Sequence, residues 1–476
     1  MATTKKPRHR FATLILVTSV TVVPLLPSRL RIEALLAITA LCLLVQLCAP
    51  KPPASASSKA VSEPYPVQTP ASALWLVDGS YYDLQPLMSF HPGGDRILRM
   101  SRGKDVSIAF RVHHLREQPR TRLQAYAIPI SRVTGRIEAS TYQYSFGSDG
   151  FYATLRERVR SHLEGAGAIA AVRQADAAYL TKVVLSSAVW AVSWWVVVCV
   201  PFFSPLAPLA CVANALSRMV LTGAGHEADH GVVLPSRPVA QRLLARLGIE
   251  GFLSYDVDDW YELHMRHHLD TKTDDDPDEN RGARARSFWR LSSATPWRPS
   301  HARPRLAQLL AGGLLNVAKS AERADQGRAG CALLWLHLLP LFFQPSRCAG
   351  ALAVLCSSCA ASYLTLLAFH VNHIQGETEH VGYAPGVDWG AHQLHTTANF
   401  DAGSKLGFFG LSGGLDLQIE HHLFPQLSYD KQRSVAPLVR ATAREHGLPY
   451  HEFSSLGAGL LAHLRFMDKL GAPLSF

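Results

Sequence analysis

Charge is scarce in this chain. Of its 476 residues only 18% are Asp, Glu, Lys or Arg, against roughly a quarter in ordinary soluble proteins. With 48% apolar residues, that scarcity excludes an intrinsically disordered chain and a coiled coil, and the 33 glycines follow no collagen-like period. Cysteine is also sparse. Eight in this length are too few for a disulfide scaffold. Cys199, Cys211, Cys331, Cys348, Cys356 and Cys359 lie in or beside apolar runs. The CxxC of Cys356 and Cys359 has no second pair, so it reads as buried small hydrophobes. What charge there is leans basic, at a formal +10. The length calls for more than one domain.

The missing charges are missing in blocks. Val183–Ser217 holds no Asp, Glu, Lys or Arg. As one helix it would reach about 50 Å, too long for a single crossing of a hydrocarbon core about 30 Å thick. Pro201, Pro205 and Pro208 interrupt it. The run therefore predicts two membrane helices, about 179–200 and 206–223, joined by a tight turn. A second uncharged pair flanks Arg347 and predicts helices at about 329–343 and 349–369. The two turns are nearly free of basic residues whereas the flanking segments are rich in them. By the positive-inside rule the turns face away from the cytosol and everything else faces it. The apolar stretches 11–26 and 34–49 are short for spanning, and residues 1–50 read as a helical anchor, a targeting segment or an interfacial pair. Residues 51–70, rich in Pro, Ser and Ala, read as a linker.

Two patterns carry chemistry. In Phe90-His91-Pro92-Gly93-Gly94-Asp95 the proline ends any helix, and the glycines let the backbone turn tightly behind His91. A second histidine, His113 or His114, can face it across a flat cofactor. Two axial histidines close both faces of a haem iron and leave electron transfer as its chemistry. Four such residues alone would be a surface turn. The whole segment Ser72–Ile128, with its Asp-x-x-x-x-Phe before the second histidine, resembles cytochrome b5. That resemblance makes His114 the second axial ligand, with His113 as the alternative.

The second pattern is three histidine clusters outside the apolar runs: His226 and His230; His264, His267 and His268; and His421 and His422 behind Gln418. Spacings of three and four put each set on one helix face. Imidazole suits iron, and seven histidines with a glutamine are enough for two metal ions. The clusters follow two crossings, two crossings and four crossings, so all lie on the membrane side of the haem segment. His373, ending the fourth helix, is a further candidate ligand. His370 and His337 read as helix-end histidines, and His392 and His395 as groups near the site or the substrate. Glu227, Asp229, Asp270 and Glu420 read equally as groups that orient ring N–H groups and as acids simply solvated at a polar membrane surface, while Asp274–Asp278 reads as a solvated loop.

From about Ser72 to Pro449 the chain resembles a front-end membrane fatty acid desaturase with a cytochrome b5 domain at its N-terminus. Gln418 at the head of the third cluster is the most specific mark, supported by Asp276-Pro277-Asp278 and by Gln393-Leu394-His395-Thr396-Thr397-Ala398-Asn399. The resemblance implies a mainly α fold. An α+β cytochrome b5-like domain (71–135) precedes a four-transmembrane-helix histidine-box di-iron desaturase domain (150–465). It also implies haem b, two non-haem iron ions held by His226, His230, His264, His267, His268, His373, Gln418, His421 and His422, and dioxygen as co-substrate. The expected reaction places a double bond between an existing one and the carboxyl end of a polyunsaturated chain carried on a lipid or on CoA. Cytochrome b5 reductase would be the electron donor and the endoplasmic reticulum membrane the location, with both domains cytosolic; residues 1–50 leave a plastid membrane open. No nucleic-acid partner is expected. The arginine-rich 281–305 reads as a contact to lipid head groups or to a carrier phosphate. The alternatives are a sphingolipid desaturase or hydroxylase on the same scaffold, a ferritin-like carboxylate site built on Glu227-x-x-His230 and Glu377-x-x-His380, and an electron carrier with inert histidines.

Overall fold

The computed structural model describes residues 68–91, 93–116, 118–138, 144–278, 290–304, 337–379, 385–401 and 412–473. Residues 1–50 and most of the expected helix 329–343 lie outside them, as does His380.

The N-terminal unit is built on a short antiparallel sheet. β1 (Trp75–Val77), β2 (Ser80–Tyr82) and β3 (Ala127–Ile128) pair in that order, with Trp75 opposite Tyr82. Asp78 and Gly79 make the hairpin turn, both with positive φ. Trp75, Val77, Tyr82 and Leu84 form one small core with Leu98 and Leu123. These last two come from α1 (Asp95–Ser101) and α3 (Gln118–Leu123), while α2 (Ser107–His113) lies between them in the chain.

α4 (Phe151–Gly165) enters the larger unit, and two long apolar helices follow. α5 (Ala177–Cys199) starts on Asp176, whose carboxylate accepts from the Tyr179 N–H. α6 is Leu206–Asp229. The third long apolar helix is α9 (Arg347–His373), capped by the Ser346 hydroxyl. These three helices are long and apolar enough to cross a membrane. Val184, Leu185, Val192 and Leu209 are exposed on them, as lipid-facing side chains must be. Of the fourth expected span, the described part includes a short helix at Pro340–Phe343.

Two helices run past the limits that apolarity alone suggests. α6 continues beyond Gly223 to Asp229 and α9 beyond Phe369 to His373, so each carries its histidines past its apolar stretch on a rigid rod. The extension of α6 depends on close backbone packing. A Cβ on Gly225 would stand 2.6 Å from the Gly248 Cα and 2.9 Å from the Leu244 carbonyl oxygen. Gly248 belongs to a wide helical turn, Leu247–Phe252, that follows α7 (Pro238–Arg246).

The remaining elements close the polar end: α8 (Val257–Asp270), α10 (Trp389–Thr396), α11 (Gln418–Leu423), α12 (Tyr429–Glu445) and α13 (Leu456–Gly471). A short parallel pair, β4 (Ala398–Phe400) and β5 (His451–Phe453), lies among them. The largest apolar core joins both units. Val112 of α2 and Leu115 pack with Phe151, Tyr152, Trp389, Ile419 and Leu423.

Gly225→Val should cost about 1–3 kcal/mol of stability by overpacking, read as a lower melting temperature of the detergent-solubilised protein. An unchanged melting curve would remove this contact as a determinant of the α6 position.

Candidate metal and haem centres

All three histidine clusters are helical, on α6, α8 and α11, and their rings meet. The Nε2 atoms of His226 and His264 are 2.6 Å apart, those of His230 and His264 3.0 Å, and those of His268 and His264 3.0 Å. His421 Nε2 is 3.1 Å from His268 Nε2. These five histidines form one group whose nitrogens lie within 4.8 Å of one another, and His267, His373 and His422 form a second. Gln418 Nε2 is 3.4 Å from His373 Nε2, placing the glutamine beside the second group. All of the sequence-predicted metal residues are therefore brought together, in two sets.

The protons are on the outer nitrogens of the second group. His267 Nδ1 donates to Asp276 Oδ1 at 3.0 Å, His373 Nδ1 to the Thr396 carbonyl at 3.0 Å and His422 Nδ1 to Gln393 Oε1 at 3.0 Å. Each Nε2 is then an unprotonated donor aimed inward. His422 Nε2 and Gln418 Oε1 are buried with no hydrogen-bond partner in the described structure. Burial holds His230, His264, His268, His421 and His422 far below the usual imidazole range, and the neighbouring imidazoles add to it. Neutral, inward-facing and otherwise unsatisfied donors are what a transition-metal ion requires, so the residues fit the metal that the pattern implies.

The outer partners differ from those the sequence suggested. Asp276 is buried at 1% exposure and is the carboxylate on His267; the Asp274–Asp278 run is not simply a solvated loop. Glu227 pairs with Tyr179, Asp229 with Arg96, and Glu420 with Asn399 and the Tyr450 hydroxyl, each at 2.8 Å. Asp270 lies near Asp275 and Arg266. His392 Nε2 donates to the Thr271 carbonyl, and His337 Nε2 to that of Gly251. The His370 ring lies 5.2 Å from that of His463 in a tilted contact, and His395 is half-buried. Glu377 is exposed, which argues against a carboxylate site built on it. Gln393, noted only as part of a motif, holds His422 and donates to the His268 carbonyl at 3.2 Å.

The haem candidates are equally definite. His91 and His114 face each other with ring centroids 6.1 Å apart, close to the roughly 6 Å that two imidazoles on one intervening metal ion require. His114 Nδ1 donates to the Phe110 carbonyl at 2.8 Å, leaving Nε2 as a free donor. Burial lowers the His114 pKa to about 4. His113 does not share this arrangement. Desolvation lowers this half-buried ring to about 3, and the charges of His114 and His91 add to it.

Comparison with known proteins agrees with this geometry. The family described as fatty acid desaturase matches residues 202–454, and the cytochrome b5-like heme/steroid binding domain matches residues 66–129. The chain belongs to the fatty acid desaturase family. It is an oxidoreductase, a desaturase with a cytochrome b5-like domain N-terminal to the catalytic one; the first implies haem and the second iron. The chain is similar to an acyl-lipid (7-3)-desaturase of Diacronema lutheri, 26% identical over 433 residues that cover 84% of this chain and 90% of that one. It is similar to the Delta(5) fatty acid desaturase A of Dictyostelium discoideum, at 24% over 442 residues, covering 83% and 90%. A chloroplastic acyl-lipid (7-3)-desaturase of Chlamydomonas reinhardtii is 25% identical over 437 residues, covering 83% and 80%.

Two outcomes are expected. Asp276→Ala should weaken iron binding about 10–100-fold, read as iron per protein after dialysis against a chelator; unchanged iron would make Asp276 irrelevant to the site. His114→Ala should abolish the six-coordinate low-spin haem spectrum while His113→Ala keeps it, and the reverse result would move the axial ligand.

Proposed function

We propose that this enzyme is a front-end desaturase. It places a new double bond between an existing one and the carboxyl end of a polyunsaturated acyl chain, the acyl group being carried on a lipid or on CoA. Two non-haem iron ions would occupy the two histidine sets. His226, His230, His264, His268 and His421 hold one; His267, His373 and His422, with Gln418, hold the other. Haem b would sit between His91 and His114. The observation that carries the reading is the packing of Val112 and Leu115, which flank His113 and His114, against the same core as Ile419 and Leu423 of the third histidine cluster's helix. Front-end activity rests on Gln418 together with the names of the acyl-lipid relatives.

Bound iron would supply the activation of dioxygen and the removal of one hydrogen from each of two adjacent unactivated methylenes. The chain's own residues set the conditions. Neutral imidazoles leave the metals strongly positive. Asp276, Thr396 and Gln393 fix the ring orientations. Trp389, Leu394, Ile419 and Leu423, all below 1% exposed, keep water from one side of the cluster. Electrons would enter from cytochrome b5 reductase. Four membrane spans would leave both centres on the cytosolic face of the endoplasmic reticulum, with a plastid membrane the alternative suggested by the chloroplastic relative.

Expressed in yeast supplied with C18 to C22 polyunsaturated acids, the enzyme should yield a product with one additional double bond on the carboxyl side, located by mass spectrometry. Absence of product from every such substrate would refute the reading, and a hydroxylated product or a desaturated sphingoid base would replace it with one of its alternatives.

A further inference from the structure

The haem unit meets the metal unit through apolar packing and a few charged side chains, and one of these is unlike the rest. Arg96 is on α1, five positions after His91. Its guanidinium enters the space between two metal-histidine helices. Nη1 donates to Asp229 Oδ1 at 2.7 Å, and Nε lies 3.0 Å from Asp258 Oδ1. Nη2 donates to the Val257 carbonyl. The Tyr261 ring lies beneath it, with Cζ 3.9 Å from the centroid. Asp229 ends α6 directly before His230, whereas Asp258 and Tyr261 are on α8, about two turns and one turn before the second histidine cluster. A single side chain thus ties the haem loop to both helices.

The Asp229 side chain is only 5% exposed and that of Arg96 23%, so this contact is partly desolvated and resists screening. A second ion pair on the same face, Lys104 Nζ to Glu262 Oε1 at 3.6 Å, joins two side chains more than half exposed and is weak by comparison. It marks the same register from outside. Apolar packing by Val112 and Leu115 holds the units together but is tolerant of sliding; a planar guanidinium hydrogen-bonded through both Nη atoms and seated on the Tyr261 ring is not.

We propose that Arg96 is a positioning latch that fixes the haem in register with the metal-histidine helices and so sets the rate at which an electron crosses between them. The proposal rests on the reading that the haem reduces the irons. In that step one electron leaves ferrous haem and converts one ferric non-haem iron to ferrous, with no bond made or broken; an external one-electron donor has previously reduced the haem.

The test uses the full-length protein in detergent, wild type, Arg96→Ala and Arg96→Lys. Haem and iron contents are measured first. Haem is then reduced anaerobically and mixed with dioxygen and acyl substrate, and its reoxidation is followed by stopped-flow absorbance. In parallel, a zero-length carbodiimide joins Lys104 to Glu262, and the cross-linked peptide is quantified by mass spectrometry. Arg96→Ala should keep both cofactors and the low-spin spectrum. Its reoxidation should slow about tenfold or more, with a reduced Lys104–Glu262 cross-link, and Arg96→Lys should recover part of both. Reoxidation and cross-linking equal to wild type in Arg96→Ala would overturn the proposal, as would loss of haem or iron in that variant. Should wild-type haem reoxidise equally fast with and without non-haem iron, the electron-transfer reading itself fails and the latch with it. The cross-link comparison tells these failures apart, because it reads docking without any electron transfer.

Discussion

The structure depends on keeping a group of unprotonated imidazole nitrogens pointed at one another. Five Nε2 atoms at separations near 3 Å, with three more beside them, crowd ring nitrogens together. That is unfavourable in the absence of a cation and strongly favourable around one. Everything near the cluster serves this arrangement. Burial keeps the rings neutral, and acceptors on the outer side hold the proton on Nδ1 for His267, His373 and His422. The acceptors are chemically mixed, a carboxylate, a backbone carbonyl and a side-chain amide, so the negative charge placed directly on these rings is small.

The fold delivers those nitrogens by extending membrane helices beyond the bilayer. α6 and α9 carry His226, His230 and His373 at their polar ends, and their position is fixed by packing inside the apolar slab. The Gly225–Gly248 approach draws α6 against the segment leading to α8, so two clusters share one rigid support. α11 is only six residues long and is held by its surroundings. Ile419 N–H donates to Asn399 Oδ1 at 2.8 Å, and Asn399 in turn holds Glu420. A short helix with buried polar anchors takes the place of the long ones.

Much of this could be read from the chain itself, for identifiable reasons. Histidines three and four apart declare a helix face, and a charge-free run interrupted by prolines declares a membrane hairpin. The partition of the histidines could not be read: adjacent His267 and His268 point into different sets because successive helical residues are about 100° apart. Asp276 was equally hidden, since a carboxylate in an acidic loop has no periodicity to betray its partner. Asp229 looked like a helper of the metal site because of its neighbours in sequence, while its actual partner, Arg96, is 133 residues away. Contacts across units leave no local trace in composition or spacing.

The shared core of Val112, Leu115, Tyr152, Trp389 and Ile419 has a kinetic meaning. A separate carrier must find its acceptor by diffusion, and its delivery rate falls on dilution. On the proposed reading, donor and acceptor belong to one chain, so their effective molarity is set by geometry and is unaffected by how much enzyme the membrane holds. Entry of electrons from outside would then be the only bimolecular step of their delivery, at whatever edge of the cofactor this packing leaves uncovered.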